Sequence, residues 1–234
     1  MSTLDVPAGE IVELPTPYGA ARLHRNPVPA GVAPVATLVL GHGAGGGVET
    51  HDIAALAADL PAQGVGVVRL EQPWRVAGRK VASAPPTLDV ALRLAVAALP
   101  EADRGVPLVL GGRSAGARSA ARCAAELGAA GLVLLAFPLH PPGKPERSRR
   151  DELAGAVAAG VPALVVQGEK DAMGRADELA AAFADERAER LDLVVVPDAD
   201  HGLTVPKRAP LSVEDVRALV VESVLEWIVR EAAG

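Results

Sequence analysis

The stretch that decides the fold is LVLGGRSAGARSA, residues 108–120. It joins an apolar run, which predicts a buried strand, to an Ala-rich run with helical spacing. Between the two lies Gly112-x-Ser114-x-Gly116, and a serine in such a tight strand-to-helix turn tolerates only small neighbours. The first amides of the helix would favour negative charge beside that serine. The pattern predicts a nucleophilic Ser114, although a serine that merely caps a helix can occur in the same spacing.

Outward from this stretch, short Val- and Leu-rich runs that do not alternate in polarity predict strands buried on both faces. These runs are Ile11–Leu14, Ala21–Arg25, Val35–Leu40, Val65–Leu70, Leu108–Leu110, Leu132–Ala136, Ala163–Gln167 and Leu191–Val196. Ala-rich segments between them predict helices at Asp52–Ala62, Thr87–Leu99, Ala115–Leu127, Arg150–Ala159, Ala176–Ala184 and Val213–Glu231. Thr87 and Ser212 are suited to cap two of these helices.

Two opening strands followed by six strand–helix units predict an α/β fold. We expect residues 1–234 to form one domain, with a mainly parallel sheet of about eight strands and helices on both faces. A closed eight-stranded barrel is disfavoured because no helix separates the first two strands. Functional loops of such an open sheet lie beyond the carboxyl ends of its strands.

A nucleophilic serine needs a base and an acid that orients the base, in the chain order serine, acid, histidine for this turn. The run ALVVQGEKD ends a predicted strand and supplies Asp171, and LVVVPDADHG ends the next and supplies His201. Asp171 is favoured because a turn just past the strand can fold it over the edge of the sheet. Four other carboxylates remain alternatives to it: Glu169, Asp177, Asp198 and Asp200.

Acyl transfer also needs hydrogen-bond donors for an oxyanion. The amide of Ala115, directly after the serine, is one candidate. The loop GHGAGGGVETH, residues 41–51, supplies the second, with Ala44 favoured and Gly45 close behind.

The same loop supports a rival reading, because Gly41-x-Gly43-x-x-Gly46 follows a strand and Glu71 ends the next strand. Formally this is a dinucleotide-binding fingerprint and would predict an NAD-dependent enzyme. The motif does not lie on the first strand, and this reading leaves the order of Ser114, Asp171 and His201 unexplained.

Weaker predictions concern the lining of the site. Trp74 is expected to form a wall of the pocket, and His140 either contacts substrate or is a hydrogen-bonded loop histidine. Arg79 is the main candidate among basic residues that could select an anionic acyl group or could be solvated loop charges. The others in this group are Arg75, Lys80 and Lys144.

Composition limits the remaining function classes. The net charge of −6 disfavours nucleic-acid binding, which uses clustered Lys and Arg, and the single Cys123 excludes an intrachain disulfide. The N-terminal residues lack the pattern of a secretory signal, and the longest apolar run, around Leu132–Pro138, is too short to span a membrane. We therefore expect a cytoplasmic protein that acts on a small-molecule acyl substrate, without a membrane partner.

Six segments together resemble one known family: GHGAGGG, PWRVAGRK, GGRSAGARSA, FPLHPPGKP, VVQGEKD and DADHG. They are similar to the small α/β-hydrolase-like family, of the dienelactone-hydrolase-like group, that includes a testis-expressed protein and the NSL chromatin-complex regulatory subunit. The resemblance runs from about residue 37 to about 228. It implies one α/β-hydrolase domain whose triad is Ser114, Asp171 and His201. The segment ETHDI, residues 49–53, departs from the family pattern, which leaves the shape of the pocket open.

The sequence therefore predicts a serine hydrolase that cleaves a carboxylic ester, thioester or lactone through an acyl-enzyme, with no metal and no organic cofactor. The alternative from another class is a non-catalytic interaction subunit on a hydrolase scaffold, since some eukaryotic relatives act in complexes. Only Leu139–Arg150 is available as a cap, so we expect an open, shallow site.

Overall fold

A computed structural model describes residues 9–187 and 190–232. The first eight residues lie outside this range, so the expectation of no secretory signal there concerns a segment outside the described residues. The same holds for the two ends of the predicted domain 1–234.

Eight strands form one sheet, in the order β1-β2-β4-β3-β5-β6-β7-β8. Their bounds are β1 Glu10–Thr16, β2 Gly19–Asn26, β3 Ala36–Gly41, β4 Val65–Glu71, β5 Leu108–Arg113, β6 Gly131–Leu135, β7 Ala163–Gly168 and β8 Leu191–Val196. Strand β2 pairs antiparallel with both β1 and β4, and every other pair is parallel. The predicted mainly parallel sheet of about eight strands is confirmed.

The helices are α1 His51–Asp59, α2 Pro73–Val76, α3 Pro85–Ala97, α4 Glu101–Arg104, α5 Ala115–Cys123, α6 Arg150–Ala158, α7 Ala176–Ala182, α8 Ala184–Arg187 and α9 Val213–Trp227. A 3₁₀ turn follows α1 at Pro61–Gln63, and a π-helical turn, Ile228–Ala232, extends α9. The six long predicted helices are all present. The short helices α2, α4 and α8 were not predicted, because one turn of helix carries no hydrophobic period.

The two predicted caps have different outcomes. Ser212 caps α9, since its Oγ accepts from the Asp215 amide at 3.1 Å while Asp215 Oδ2 accepts from the Ser212 amide at 2.7 Å. The Thr87 prediction is wrong. Helix α3 already begins at Pro85, which suits the first helical position, and Thr87 Oγ1 instead donates to the Ala84 carbonyl at 2.7 Å.

Two apolar cores lie on opposite faces of the sheet. One packs α3, α5, α6 and α7 through residues such as Leu92, Ala120 and Leu153. The other packs α1 and α9 through residues such as Leu56 and Val224. Successive residues of the central strands face alternate cores, which is why these strands read as continuous apolar runs.

All loops that follow the parallel strands meet at one edge of this sheet. Between Leu135, the end of β6, and Arg150, the start of α6, the chain forms turns and no helix or strand. This agrees with the predicted minimal cap. Within residues 9–187 and 190–232, no helix has both the length and the apolar character needed to cross a membrane.

Candidate active site

Ser114 occupies a strained turn between β5 and α5. Its backbone has φ 51° and ψ −108°, a conformation that L-residues adopt rarely. The neighbouring glycines are needed because β3 approaches closely: a Cβ on Gly116 would lie 2.1 Å from the Gly41 carbonyl oxygen, and one on Gly112 would lie 2.4 Å from it. The sequence predicted small residues here, and the structure identifies the neighbour that requires them.

The three predicted side chains form one hydrogen-bonded chain. His201 Nδ1 lies 2.7 Å from Asp171 Oδ2, and His201 Nε2 lies 2.9 Å from Ser114 Oγ. Each residue follows a different strand: Ser114 follows β5, Asp171 follows β7 and His201 follows β8. The Asp171 side chain is fully buried, whereas His201 is 23% exposed, so the imidazole stays accessible beside the serine.

Further donors hold the buried Asp171 carboxylate in place. Gln167 Nε2 donates to Asp171 Oδ2 at 2.9 Å, and the Met173 amide donates to Asp171 Oδ1 at 2.7 Å. Gln167 Nε2 also lies 2.7 Å from the Gly174 carbonyl, which fixes the loop around the acid. Both carboxylate oxygens thus accept hydrogen bonds from neighbouring groups, which fixes the orientation of the side chain. Gln167 was missed from the sequence because it ends a strand and reads as part of the core.

The four alternative acids have other partners. Asp198 pairs with Lys170, and Asp177 pairs with Arg175 at 3.2 Å. Glu169 Oε2 accepts from the Asp198 amide at 2.7 Å, and Asp200 Oδ1 accepts from the Gly202 amide at 2.7 Å. The geometry thus brings Asp171, and none of these four, to the imidazole.

A second set of contacts, which sequence reasoning missed, holds the loop that carries His201. Arg113 Nη2 donates to the His201 carbonyl at 2.9 Å, and Arg113 Nε lies 3.0 Å from Asp52 Oδ2 in an ion pair. His51 Nε2 lies 2.8 Å from the Gly202 carbonyl and therefore donates to it. His51 and Asp52 belong to ETHDI, the segment that departs from the family pattern. These two polar residues contact the elbow, which is the strand-to-helix turn at residues 112–116, and the histidine loop, which carries His201.

The glycine-rich loop after β3 lies against the serine. A Cβ on Gly43 would stand 3.4 Å from Ser114 Cβ. The Gln72 amide donates to His42 Nε2 at 3.1 Å, so His42 carries its proton on Nδ1 and donates to the Gly43 carbonyl at 2.8 Å. Burial lowers the pKa of His42 below its usual 6.5, in keeping with this neutral ring.

His42 thereby sets the direction of the next amide. In a trans peptide the carbonyl and the following N–H point in opposite directions, and the described residues contain no cis peptide bond. Because His42 holds the Gly43 carbonyl, the Ala44 N–H points away from His42. The Ala115 N–H opens α5, where an amide has no intrahelical acceptor. The two amides predicted from the sequence thus belong to a loop that contacts Ser114 and to the helix that Ser114 begins.

The remaining predicted binding residues occupy varied positions. Gly45 is exposed in the turn beside Ala44, and Arg79 and Lys80 are exposed after α2. Trp74 is buried with its ring in edge contact with His42, the centroids 5.4 Å apart, so it packs against the loop that carries Ala44.

His140 has the second of the two roles considered for it. Its Nδ1 lies 2.9 Å from the Pro141 carbonyl and its Nε2 lies 3.1 Å from Glu178 Oε2, so protein groups occupy both ring nitrogens. The hydrogen bond to Pro141, together with the carboxylate of Glu178, raises the pKa of His140 above 6.5. It is a hydrogen-bonded loop histidine in this arrangement, and substrate contact through its ring is not what the geometry provides.

The acidic residue that the dinucleotide-binding fingerprint requires, Glu71, is paired within the protein. Glu71 Oε2 lies 3.1 Å from His24 Nε2 and 4.0 Å from Arg22 Nη1, so side chains of the neighbouring strand β2 pair with its carboxylate. In residues 9–187 and 190–232 no group of three or more His, Cys, Asp or Glu side chains is arranged to hold a metal ion.

Comparison with known proteins agrees with this architecture. Residues 34–229 match the family described as alpha/beta hydrolase domain. The chain belongs to this alpha/beta hydrolase family. Membership covers most of the sequence, close to the predicted range 37–228, and it confirms the prediction of a hydrolase.

Solved structures of α/β hydrolases share the fold at low sequence identity. An α/β serine hydrolase homologue from Coxiella burnetii is 19% identical with a TM-score of 0.73, covering 94% of this chain and 99% of its own. An α/β serine hydrolase without a lid, from Xanthomonas campestris, is 21% identical with a TM-score of 0.68 and coverages of 94% and 95%. Est1E from Butyrivibrio proteoclasticus is 18% identical with a TM-score of 0.71 and coverages of 94% and 99%. No curated protein matches the sequence.

Proposed function

We propose that this α/β hydrolase cleaves small carboxylic esters through a covalent acyl-enzyme. The observation that carries the proposal is the continuous chain of hydrogen bonds from Asp171 through His201 to Ser114, at 2.7 and 2.9 Å. Such a chain allows a weakly nucleophilic hydroxyl to lose its proton as it attacks a carbonyl.

In the first half of the reaction, Ser114 Oγ attacks the ester carbonyl carbon and its proton passes to His201 Nε2. Asp171 keeps the His201 proton on Nδ1 and stabilises the imidazolium that forms. The amides of Ala44 and Ala115 donate to the oxyanion of the tetrahedral intermediate. The carbon–oxygen bond to the leaving alcohol then breaks as His201 returns the proton to that oxygen.

In the second half, water attacks the acyl-enzyme and gives its proton to His201. The tetrahedral intermediate collapses, the bond to Ser114 Oγ breaks, and His201 returns the proton to the serine. The carboxylic acid leaves. Every step uses side chains and amides of this chain.

The short connection between β6 and α6 supports a small and soluble substrate. With no helical lid in the described part of that connection, access to Ser114 does not require a lid to open at a lipid surface. We also infer, from GHGAGGG and FPLHPPGKP, that the closer relatives of this chain are the small family that includes the testis-expressed protein and the NSL subunit.

The test is hydrolysis of p-nitrophenyl acetate by wild type, Ser114→Ala and Asp171→Asn. We expect Ser114→Ala to abolish turnover and Asp171→Asn to lower kcat by roughly 10⁴-fold, as the loss of the orienting carboxylate does in triads. Ser119→Ala on the same helix and Asp177→Asn on α7 are matched controls and should retain activity. Turnover by folded Ser114→Ala equal to that of wild type would contradict the proposal, whereas a folded wild type that hydrolyses no ester would favour the interaction-subunit alternative.

A further inference from the structure

A recess of about 490 Å³ lies between α5 and the segment that follows β6, and three of its five lining residues are arginines. Its walls are Arg118, Pro141, Arg147, Ser148 and Arg149. None of these residues belongs to the triad or to the glycine-rich loop after β3, and no step of the proposed reaction uses them.

One wall of the recess, Arg118, lies one helical turn from Ser114. The Arg118 amide donates to the Ser114 carbonyl at 3.1 Å, which places Arg118 one helical turn after the serine. Side chains four residues apart on a helix have Cβ atoms roughly 5–6 Å apart, and helical side chains lean toward the N-terminus. The Arg118 side chain therefore starts near the turn that holds Ser114, and its guanidinium ends on Glu152 of α6.

The other wall is the segment that follows β6. The Arg149 amide donates to the Leu139 carbonyl at 2.7 Å, which folds this segment back on itself. Strand β6 pairs with the strand that leads into the elbow, and its Leu135 carbonyl accepts from the Ser114 amide at 3.0 Å. Both walls thus approach the same edge of the sheet as the nucleophile.

The positive charge of the recess is only partly compensated. Glu152 pairs with Arg118 through two contacts of 2.7 and 2.5 Å, and it also pairs with Arg122 at 3.0 Å. In the described part of the chain, neither Arg147 nor Arg149 has an ion pair with a carboxylate. Arg149 is half-buried, and its guanidinium has only a 3.4 Å contact to the Pro138 carbonyl.

The electrostatics of Arg149 agree with an unsatisfied cationic site. Its pKa is lowered, first by burial and then by the charge of Arg118; Glu152 acts in the opposite direction, and Arg147 lowers the pKa further. Three guanidinium groups beside the single carboxylate of Glu152 leave net positive charge, which favours an anion that would bind between them. Ser148 Oγ accepts from the Arg150 amide at 3.1 Å, which leaves its hydroxyl proton available to an oxyanion.

We propose that this recess binds an oxyanion of the substrate, so the preferred substrates are small esters that carry a carboxylate or phosphate close to the scissile bond. The proposal rests on the proposed ester hydrolysis at Ser114 and adds the class of substrate. The guanidinium groups of Arg147 and Arg149 bind the anion, with Arg118 held between it and Glu152. The basic residues suggested by the sequence, Arg79, Lys80 and Lys144, do not line the recess.

The experiment compares pairs of esters that differ only in charge. Monoethyl succinate and ethyl 4-methylpentanoate have the same shape and place the charge on the acyl side. O-acetylglycolate and isobutyl acetate place it on the alcohol side. Hydrolysis is followed by titration of released acid, and kcat/KM is compared within each pair.

Wild type should prefer the charged ester in at least one pair by about tenfold or more, the scale of one charge-assisted hydrogen bond. Arg147→Gln should reduce that ratio, Arg147→Glu should reverse it, and adding Arg149→Gln should reduce it further. Arg147 is exposed and without an ion pair among the described residues, so its variants do not depend on a repacked core. Arg104→Gln on the exposed helix α4 is the matched control and should leave the ratio unchanged.

Inhibition of ethyl 4-methylpentanoate hydrolysis by succinate or by inorganic phosphate separates the two oxyanion types. Two results would overturn the anion site and leave the esterase proposal standing. One is hydrolysis with no preference for the charged ester in either pair, and the other is a preference that Arg147→Glu does not change. A folded wild type that hydrolyses no ester would overturn both.

Discussion

Arg113 links Ser114, its neighbour in sequence, to the loop that carries His201. It precedes Ser114 directly, its Nη2 contacts the His201 carbonyl, and its Nε pairs with the fully buried carboxylate of Asp52. One side chain therefore connects the elbow, the start of α1 and the histidine loop. We assign it a positioning role, since it reaches neither reacting atom.

Replacing Arg113 with Gln should affect both stability and turnover. Leaving the Asp52 charge buried without its partner should lower the free energy of unfolding by about 3 kcal/mol, measured by urea denaturation. A His201 loop released from Arg113 should lower kcat by roughly 10- to 100-fold with little change in KM, because base and nucleophile lose alignment.

The double variant Asp52→Asn with Arg113→Gln separates these two effects. It should recover part of the stability, because no uncompensated charge remains buried, but it should not recover kcat. Arg93→Gln breaks an exposed ion pair with Glu126 and should change stability by at most about 1 kcal/mol. Wild-type kcat in Arg113→Gln would show that Arg113 does not position His201.

His42 should stabilise the fold in a pH-dependent way. Its folded pKa lies below 6.5, so its contribution is present above pH 6.5 and is lost as pH falls through the folded pKa, where the unfolded chain binds the proton more readily. The difference in unfolding free energy between wild type and His42→Gln should therefore be larger at pH 8 than in mild acid. An unchanged difference across this range would mean that the ring is not held neutral.

His140 should give a pH dependence of stability opposite to that of His42. Its folded pKa lies above 6.5, so its contribution is complete below pH 6.5 and is lost as pH rises through the folded pKa. The stability difference between wild type and His140→Gln should shrink from pH 6 toward alkaline pH. A difference that grows with pH would contradict the paired arrangement with Glu178.

At the scale of elements, the site depends on how closely α5 approaches β3. The Gly41–Gly116 contact permits that approach and allows the strained backbone of Ser114. A strand that carried side chains at these points would push the helix away and relax the turn. The elbow is therefore a packing feature of two elements as well as a local sequence motif.

Gly116→Ala tests this packing. Its Cβ would meet backbone atoms of Gly41, so the variant should lose about 3 kcal/mol or more of unfolding free energy and most of its activity. Gly155→Ala in α6 is the matched control: it is exposed with nothing within 4 Å of the added Cβ, and should gain about 0.5–1 kcal/mol. Equal stability of the two variants by urea denaturation would contradict the close approach of α5 and β3.

The long elements could be predicted from the sequence because the pattern of apolar residues in each one shows which of its faces are buried. Strands such as β7 are continuous apolar runs, and α9 combines an amphipathic repeat with a capping serine. The predicted start of α3, Thr87, lies two residues after the observed start. Two prolines suited to the first helical turn precede Thr87, and they compete with it as the signal for a helix start. The one-turn helices escaped prediction since they depend on tertiary context.

At the scale of the whole molecule, the parallel sheet gathers loops that are far apart in the chain. Ser114, Asp171 and His201 could be predicted because each follows a strand end, and strand ends share one edge. The partners of Arg113, Asp52 and Gln167 could not be predicted in this way. Their roles depend on which loops touch across that edge. The order of the strands in the sheet determines those contacts, and the local sequence pattern does not encode that order.

The most direct test of the central claim is covalent labelling with a fluorophosphonate probe, read by intact mass on wild type, Ser114→Ala and Ser119→Ala. An assembled triad makes Ser114 far more reactive than any other hydroxyl. We predict one adduct on wild type and on Ser119→Ala, and none on Ser114→Ala. No adduct on folded wild type, or an adduct that persists in Ser114→Ala, would contradict the account.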